Sequence, residues 1–198
     1  MRQSVEFLFD VGSPYTYLAY RHLPSLAQAA GAQIVWTPVL LGGIFQATGN
    51  RSPAETPAKR AHLERDLQRW ARAYGTHYAP NPHFPINTLV LMRGAVALQM
   101  RSEAVFQRYL AVVFEGMFGH PQNLADPQVL GPLLAGAGID AAELLALTQS
   151  PEVKARLKTN TEQAVARGAF GAPTFFVGQE MFWGQDRLHF VQQALHKA

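Results

Sequence analysis

Apolar residues crowd the stretch from Val5 to Phe9 and stop at "DVGSP". A short apolar run closed by turn residues reads as a buried strand, here feeding a helix that starts at Ser13. Pro24 lies inside that helical pattern, so a kink or break is expected there, with the helix closing near Gly31. "QIVWTPVLLGG" supplies a second strand, Gln33 to Pro38, which completes a unit of βαβ type.

From Leu40 to Gly168 the spacing turns helical almost throughout. "ETPAKRAHLERDLQRWARAYG" puts Leu63, Leu67, Trp70 and Tyr74 on one face, with Pro57 in its first turn and Gly75 at its end. After a proline-rich loop, helices are expected from about Asn87 to Met100, from about Glu103 to Phe118 and near Asp126 to Ala135. Asp140 with Glu143 reads as a capping box, and Ser150 with Pro151 opens a helix that Gly168 stops. "GAPTFFVGQEMFWG" then reads as a hairpin, Thr174 to Val177 and about Glu180 to Trp183, turning at Gly178. A last helix carries Leu188, Val191 and Leu195 on one face, capped by Asp186. The order predicts an α/β protein: a thioredoxin-like core (βαβ…ββα) formed by 1–38 and 169–198, with helix 151–168 packing on it. An all-helical insertion, 39–150, interrupts that core.

Lys and Arg exceed Asp and Glu by only 17 to 14, so nothing in the charge calls for nucleic acid. The absence of cysteine excludes a disulfide, a thiolate ligand and a redox dithiol of the chain's own. No apolar stretch approaches about 18 residues and the N-terminus lacks a leader pattern, so a cytoplasmic protein without membrane contact is expected.

Ser13 followed by Pro14 fits an N-cap. The same helix end is an anion site, because its free N–H groups and dipole face whatever sits beside the hydroxyl. In the thioredoxin-like order, "SPYT" falls where redox members carry C-x-x-C, with oxygen in place of the first sulfur. A hydroxyl there is a poor redox group and a good donor to a thiolate. "FGAPTFF" fits the second half of such a site, with a cis bond before Pro173 and a backbone edge able to pair with an extended peptide. A plain cap and an ordinary strand-entry proline are the alternatives.

The stretches "FDVGSPYTYLA", "LLGGIFQATGN", "PAKRAHLERDLQRWA", "FPINTL", "GAFGAPTFFVG" and "MFWGQDRL" together resemble the 2-hydroxychromene-2-carboxylate isomerase family. That family lies in the kappa-class glutathione transferase and DsbA-like branch of thioredoxin folds. The resemblance spans nearly the whole chain and implies glutathione as cofactor, with its sulfur beside Ser13. It implies a cysteinyl backbone paired with Ala172 next to cis Pro173. The γ-glutamyl end would reach Gln185 and Asp186, and Asn50 with Lys59 would contact the tripeptide. The implied reaction takes 2-hydroxychromene-2-carboxylate to trans-o-hydroxybenzylidenepyruvate in the breakdown of naphthalene-like aromatics. A thiolate adds reversibly to the conjugated side chain, so that a double bond becomes single and rotates. A small aromatic α-keto acid substrate and a homodimer belong to the same picture.

Taken alone, several of these residues have simpler uses. Asp186 can cap the last helix, Asn50 can shape a Gly-Asn turn, and Lys59 is one cation among Arg60, Arg65, Arg69 and Arg72, whose helical stripe reads as a solvated face. The seven histidines show no metal-ligand spacing. Phe45, Phe84 and Trp183 fit a core or an aromatic pocket. A kappa-type transferase and a non-catalytic peptide-binding module are the rival functions.

Overall fold

The computed structural model describes residues 3–197. Four strands, β1 (Ser4–Phe9), β2 (Gln33–Pro38), β3 (Thr174–Val177) and β4 (Glu180–Trp183), form one sheet in the order β2-β1-β3-β4. β1 and β2 are parallel, whereas β3 runs antiparallel to β1 and to β4. Helix α1 (Pro14–Ala29) makes the crossover between β1 and β2, and α9 (Leu188–Lys197) follows the hairpin. Between β2 and β3 the chain is helical: α2 (Leu41–Thr48), α3 (Pro57–Ala73), α4 (Leu89–Gln99), α5 (Glu103–Phe114), α6 (Pro127–Gly136), α7 (Ala141–Thr148) and α8 (Pro151–Ala166). This is the thioredoxin-like core with a large helical insertion that the sequence predicts.

Alternation along the strands divides the core in two. Phe7, Phe9 and Phe175 enter the larger cluster with α1, α4 and α5, and Phe7 stacks on Phe175 at 5.2 Å. Leu8 and Phe176 point the other way, onto Ile44 of α2 and Ala164 of α8.

Three local expectations are corrected. α1 runs through Pro24 without a break: Pro24 costs one helical hydrogen bond on the exposed side of the helix, and buried Leu23 and Ala27 hold the helix on the sheet. The helix expected from Glu103 to Phe118 ends at Phe114 and widens into a π-turn, Glu115–Gly119. Glycine at 119 leaves the room that the Glu115 carboxylate fills as it pairs with His120. Asp140 caps α7 through the Glu143 N–H at 2.9 Å, yet no capping box closes, because Glu143 pairs instead with Arg101.

The insertion is fastened to the core by Asp10, 1% exposed at the end of β1. Its Oδ1 accepts from the Gly12 N–H at 2.9 Å; its Oδ2 accepts from the Leu41 N–H at 2.8 Å and the Thr88 hydroxyl at 3.1 Å. Leu41 opens α2, and Leu40 before it has no capping side chain, so Asp10 serves as that helix's cap from a distance. Burial raises the Asp10 carboxyl above its ordinary range, against the pull of its three donors.

Asp10→Asn keeps the shape but turns an NH2 toward a donor, and should cost about 1–3 kcal/mol in urea unfolding. The folded chain holds the Asp10 proton to higher pH than the unfolded chain, so the wild type loses this share of stability as pH rises from about 4 through the raised folded value. Asparagine does not titrate. The stability gap between the two proteins should therefore be widest in acid and narrow across that window; a gap independent of pH would show that the carboxyl is not raised.

Candidate functional site

Ser13 sits at the N-terminus of α1 and is 5% exposed. Its Oγ accepts from the Thr16 N–H at 3.2 Å and donates to the Ala172 carbonyl at 3.1 Å, across 159 residues of chain. The Ala172-Pro173 bond is cis, as expected, and so is Phe84-Pro85. Capping and donating use different parts of the hydroxyl, a lone pair and the proton. What competes for the Ser13 proton is the Ala172 carbonyl, not the helix.

The loop ahead of Pro173 is held from both sides. Asn50, past the end of α2, donates from Nδ2 to the Phe170 carbonyl at 2.8 Å and accepts the Arg51 N–H at 2.9 Å. Thr174 donates to the Gly171 carbonyl at 2.7 Å, and the Gly184 N–H donates to the Pro173 carbonyl at 3.0 Å. Trp183, 47% exposed, packs on Phe170 with ring centroids 4.8 Å apart. A Cβ at Gly171 would meet the indole Nε1 at 2.7 Å, so glycine lets the ring lie against the loop. Trp183 is thus an exposed wall on the Phe170–Gly171 loop rather than core.

Gln185 and Asp186 occupy a 3₁₀ turn between β4 and α9. Gln185 is 3% exposed and its Nε2 has no partner among the described residues; Thr16 Oγ1 in the first turn of α1 is likewise buried and unpaired among them. A buried amide without a partner is costly, and a ligand group that accepts from it removes the cost. Asp186 is not the cap of α9. It lies within the turn, and its carboxylate accepts from Arg187 at 2.6 Å, folded over Gly184, where a side chain would collide with it.

α3 closes this end of the site. Tyr15 donates to Asp66 at 2.9 Å, Tyr74 donates to the Gln185 carbonyl at 2.8 Å, and His22 of α1 stacks on Tyr74 at 4.1 Å. Burial, then Asp66 and Asp186, raise the Tyr15 phenol, and burial with Asp186 pushes Tyr74 up to about 12. Both phenols stay protonated at neutral pH, and both protons are already taken. Burial lowers the pKa of His22 and favours its neutral ring. Lys59 is exposed and makes no hydrogen bond or ion pair among the described residues. It shares the Asp66 face of α3, about 10 Å nearer the N-terminus at 1.5 Å per residue. Arg65, Arg69 and Arg72 are exposed, as a solvated stripe should be.

The structure therefore joins Ser13 to Ala172 and anchors Asn50 two residues from Ala172. Gln185 and Asp186 are tied through Gly184 to Pro173, and Lys59 stands apart. Asp10, Thr88, Tyr15, Asp66 and Tyr74 were not singled out as site residues from the sequence. Asp10 alone carried a signal, a carboxylate ending a buried strand.

A family model describing a DsbA-like thioredoxin domain matches residues 4–196. A 2-hydroxychromene-2-carboxylate isomerase of Pseudomonas putida is 33% identical over 196 residues, covering 96% of this chain and 93% of its own. A solved structure of a 2-hydroxychromene-2-carboxylate isomerase superposes with a TM-score of 0.86 at 30% identity, over 98% of this chain and 95% of the other. Glutathione S-transferase kappa 1 of Caenorhabditis elegans is 27% identical, covering 98% of this chain and 91% of its own. The fold and the site define a DsbA-like thioredoxin protein whose helix N-terminus carries serine. Within that class the chain belongs to the 2-hydroxychromene-2-carboxylate isomerase family.

Asn50→Ala should leave global stability within about 1 kcal/mol while loosening the loop it anchors. Hydrogen exchange at Gly184, whose N–H donates to the Pro173 carbonyl of that loop, is expected to speed up while amides of α5 keep their rates. Unchanged exchange at Gly184 would show that Asn50 does not hold the loop.

Proposed function

We propose that the chain is a glutathione-dependent cis–trans isomerase of a small aromatic α-keto acid, 2-hydroxychromene-2-carboxylate by likeness to its relatives. The observation that carries this reading is the Ser13 hydroxyl at a helix N-terminus, 3.1 Å from the backbone carbonyl that precedes cis Pro173. Bound glutathione supplies the thiolate nucleophile that a chain without cysteine lacks.

The residues present suit that tripeptide. Ser13 turns its proton from the Ala172 carbonyl toward sulfur and, with the N–H groups of the first turn of α1, favours the thiolate form. Ala172 offers backbone to an extended peptide. The unpartnered Gln185 Nε2 is a donor for a ligand carboxylate or carbonyl, and Asp186 is an acceptor for an ammonium group. Asn50 acts by holding Phe170, and Lys59 adds long-range attraction for the tripeptide's carboxylates. Tyr15 is the nearest rival to Ser13 in sequence, but Asp66 holds its proton. Trp183 and Phe170 flank the site with aromatic surface of the kind a flat substrate stacks on.

A conjugating transferase is the second reading, favoured by the kappa relatives. Both need the same thiolate, and the fate of glutathione separates them. After many turnovers glutathione should be recovered unmodified with the isomerised acid as product; a stable conjugate as main product overturns the isomerase in favour of the transferase.

Ser13→Ala tests the role of the hydroxyl directly. Losing a hydrogen bond to a charged group, about 1.5–3 kcal/mol, should raise the thiol pKa of bound glutathione by about 1–2 units, read from thiolate absorbance in the ultraviolet. The same substitution removes the helix cap and costs about 1 kcal/mol of stability, read separately by urea unfolding. An unchanged thiol pKa would remove Ser13 from the chemistry.

A further inference from the structure

A second concave site lies away from Ser13. α2, α4 and α8 line an open pocket of about 580 Å3, with Leu40, Leu89, Leu157 and Val165 among its apolar walls. That volume falls within the range of about 300–1,000 Å3 typical of small-molecule sites. None of Ser13, Ala172, Pro173, Gln185 or Asp186 lines it.

Its charges are uneven. Arg93 of α4 and Lys154 of α8 line the cavity, both half-buried. Among the described residues neither makes an ion pair or a side-chain hydrogen bond. The other two charged lining residues, Lys158 and Glu162, are exposed and face each other at 3.7 Å. Two half-buried cations on facing helices, neither with a carboxylate within 4.0 Å among the described residues, leave the chamber with unbalanced positive charge, since its one carboxylate, Glu162, is shared with Lys158. Partial burial strips such groups of water, and an anion entering the cavity restores what they lost.

We infer that this cavity binds an amphipathic organic anion, an aromatic monocarboxylate whose ring rests on the leucines while its carboxylate spans Arg93 and Lys154. Arg93 provides the planar fork that matches a carboxylate, and Lys154 adds a point charge. A neutral ring would gain only the apolar contact, and an inorganic anion only the cations, so the cavity selects for both properties in one molecule. The inference does not rest on the glutathione reading. The cavity is nevertheless mechanically close to the site: the Leu40 N–H donates to Thr161 at 3.0 Å, and the next N–H, that of Leu41, donates to Asp10.

Titration calorimetry of the whole chain with 2-naphthoate, without glutathione, tests it. Binding should be measurable at millimolar concentration or below, and 2-naphthamide, its neutral counterpart, should bind about tenfold more weakly or worse, the loss of one charge-assisted hydrogen bond. Arg93→Met with Lys154→Met should weaken 2-naphthoate at least as much. Ala47→Phe, at the exposed rim of the cavity, should block binding without disturbing the core, and serves where the double variant does not fold. Ser13→Ala should leave the affinity for 2-naphthoate unchanged. No binding at millimolar concentration, equal affinity for acid and amide, or affinity untouched by either cavity variant would overturn the inference. Binding that appears only with glutathione, or that Ser13→Ala abolishes, would place the ligand at the other site and overturn it as well.

Discussion

A single buried carboxylate decides where the helical insertion meets the sheet. Asp10 ends β1, and its two oxygens are shared among the turn that leads to Ser13, the first N–H of α2 and the threonine that precedes α4. An unpaired charge in that position would be expensive, and hydrogen bonds from three separate segments offset the cost. The constraint works in both directions. Those segments cannot drift from one another without stranding the carboxylate, and Gly12 must stay glycine because Thr88 lies where a Cβ would go, 2.8 Å away. Ser13 inherits its position from this junction, one residue further along.

Around that point the site is assembled from pieces that share no sequence neighbourhood. The hydroxyl comes from α1, the paired carbonyl from the loop before β3, and the polar turn from the end of the hairpin. α3 reaches over from the insertion with Asp66 and Tyr74. Each contact is modest, about 1 kcal/mol net for a typical hydrogen bond. Their value lies in fixing relative positions: with Tyr15 held by Asp66 and Tyr74 by Gln185, the mouth of the site has few hydroxyl protons left unassigned.

The fold was legible because its signals are local. The strands at Gln33–Pro38, Thr174–Val177 and Glu180–Trp183 follow from apolar runs bounded by turn residues, and Ser150, Gly168 and Gly178 act where their intrinsic preferences put them. The Ser13–Pro173 pairing was legible through strand order. Long-range side-chain choices were hidden. Glu143 could bond back to its own helix or out to Arg101, Asp186 could cap or pair with Arg187, and spacing cannot rank such options. Pro24 misled for a related reason, since a helix packed on its neighbours survives the loss of one backbone bond. Asp10 is the instructive omission. An acidic residue ending a buried strand needs donors from elsewhere, and only the folded chain says that they are Leu41 and Thr88.

The hydroxyl of Ser13 owns one proton, and in the chain alone that proton rests on the carbonyl of Ala172. An anion that draws it away leaves the carbonyl short of a donor. If the same molecule carries an N–H at the right remove, the vacancy is filled as it opens. A bare anion of equal charge leaves a polar atom stranded. On the proposed reading the pair would work as a two-point lock, in which one proton, by changing partners, asks its visitor for an acceptor and a donor together.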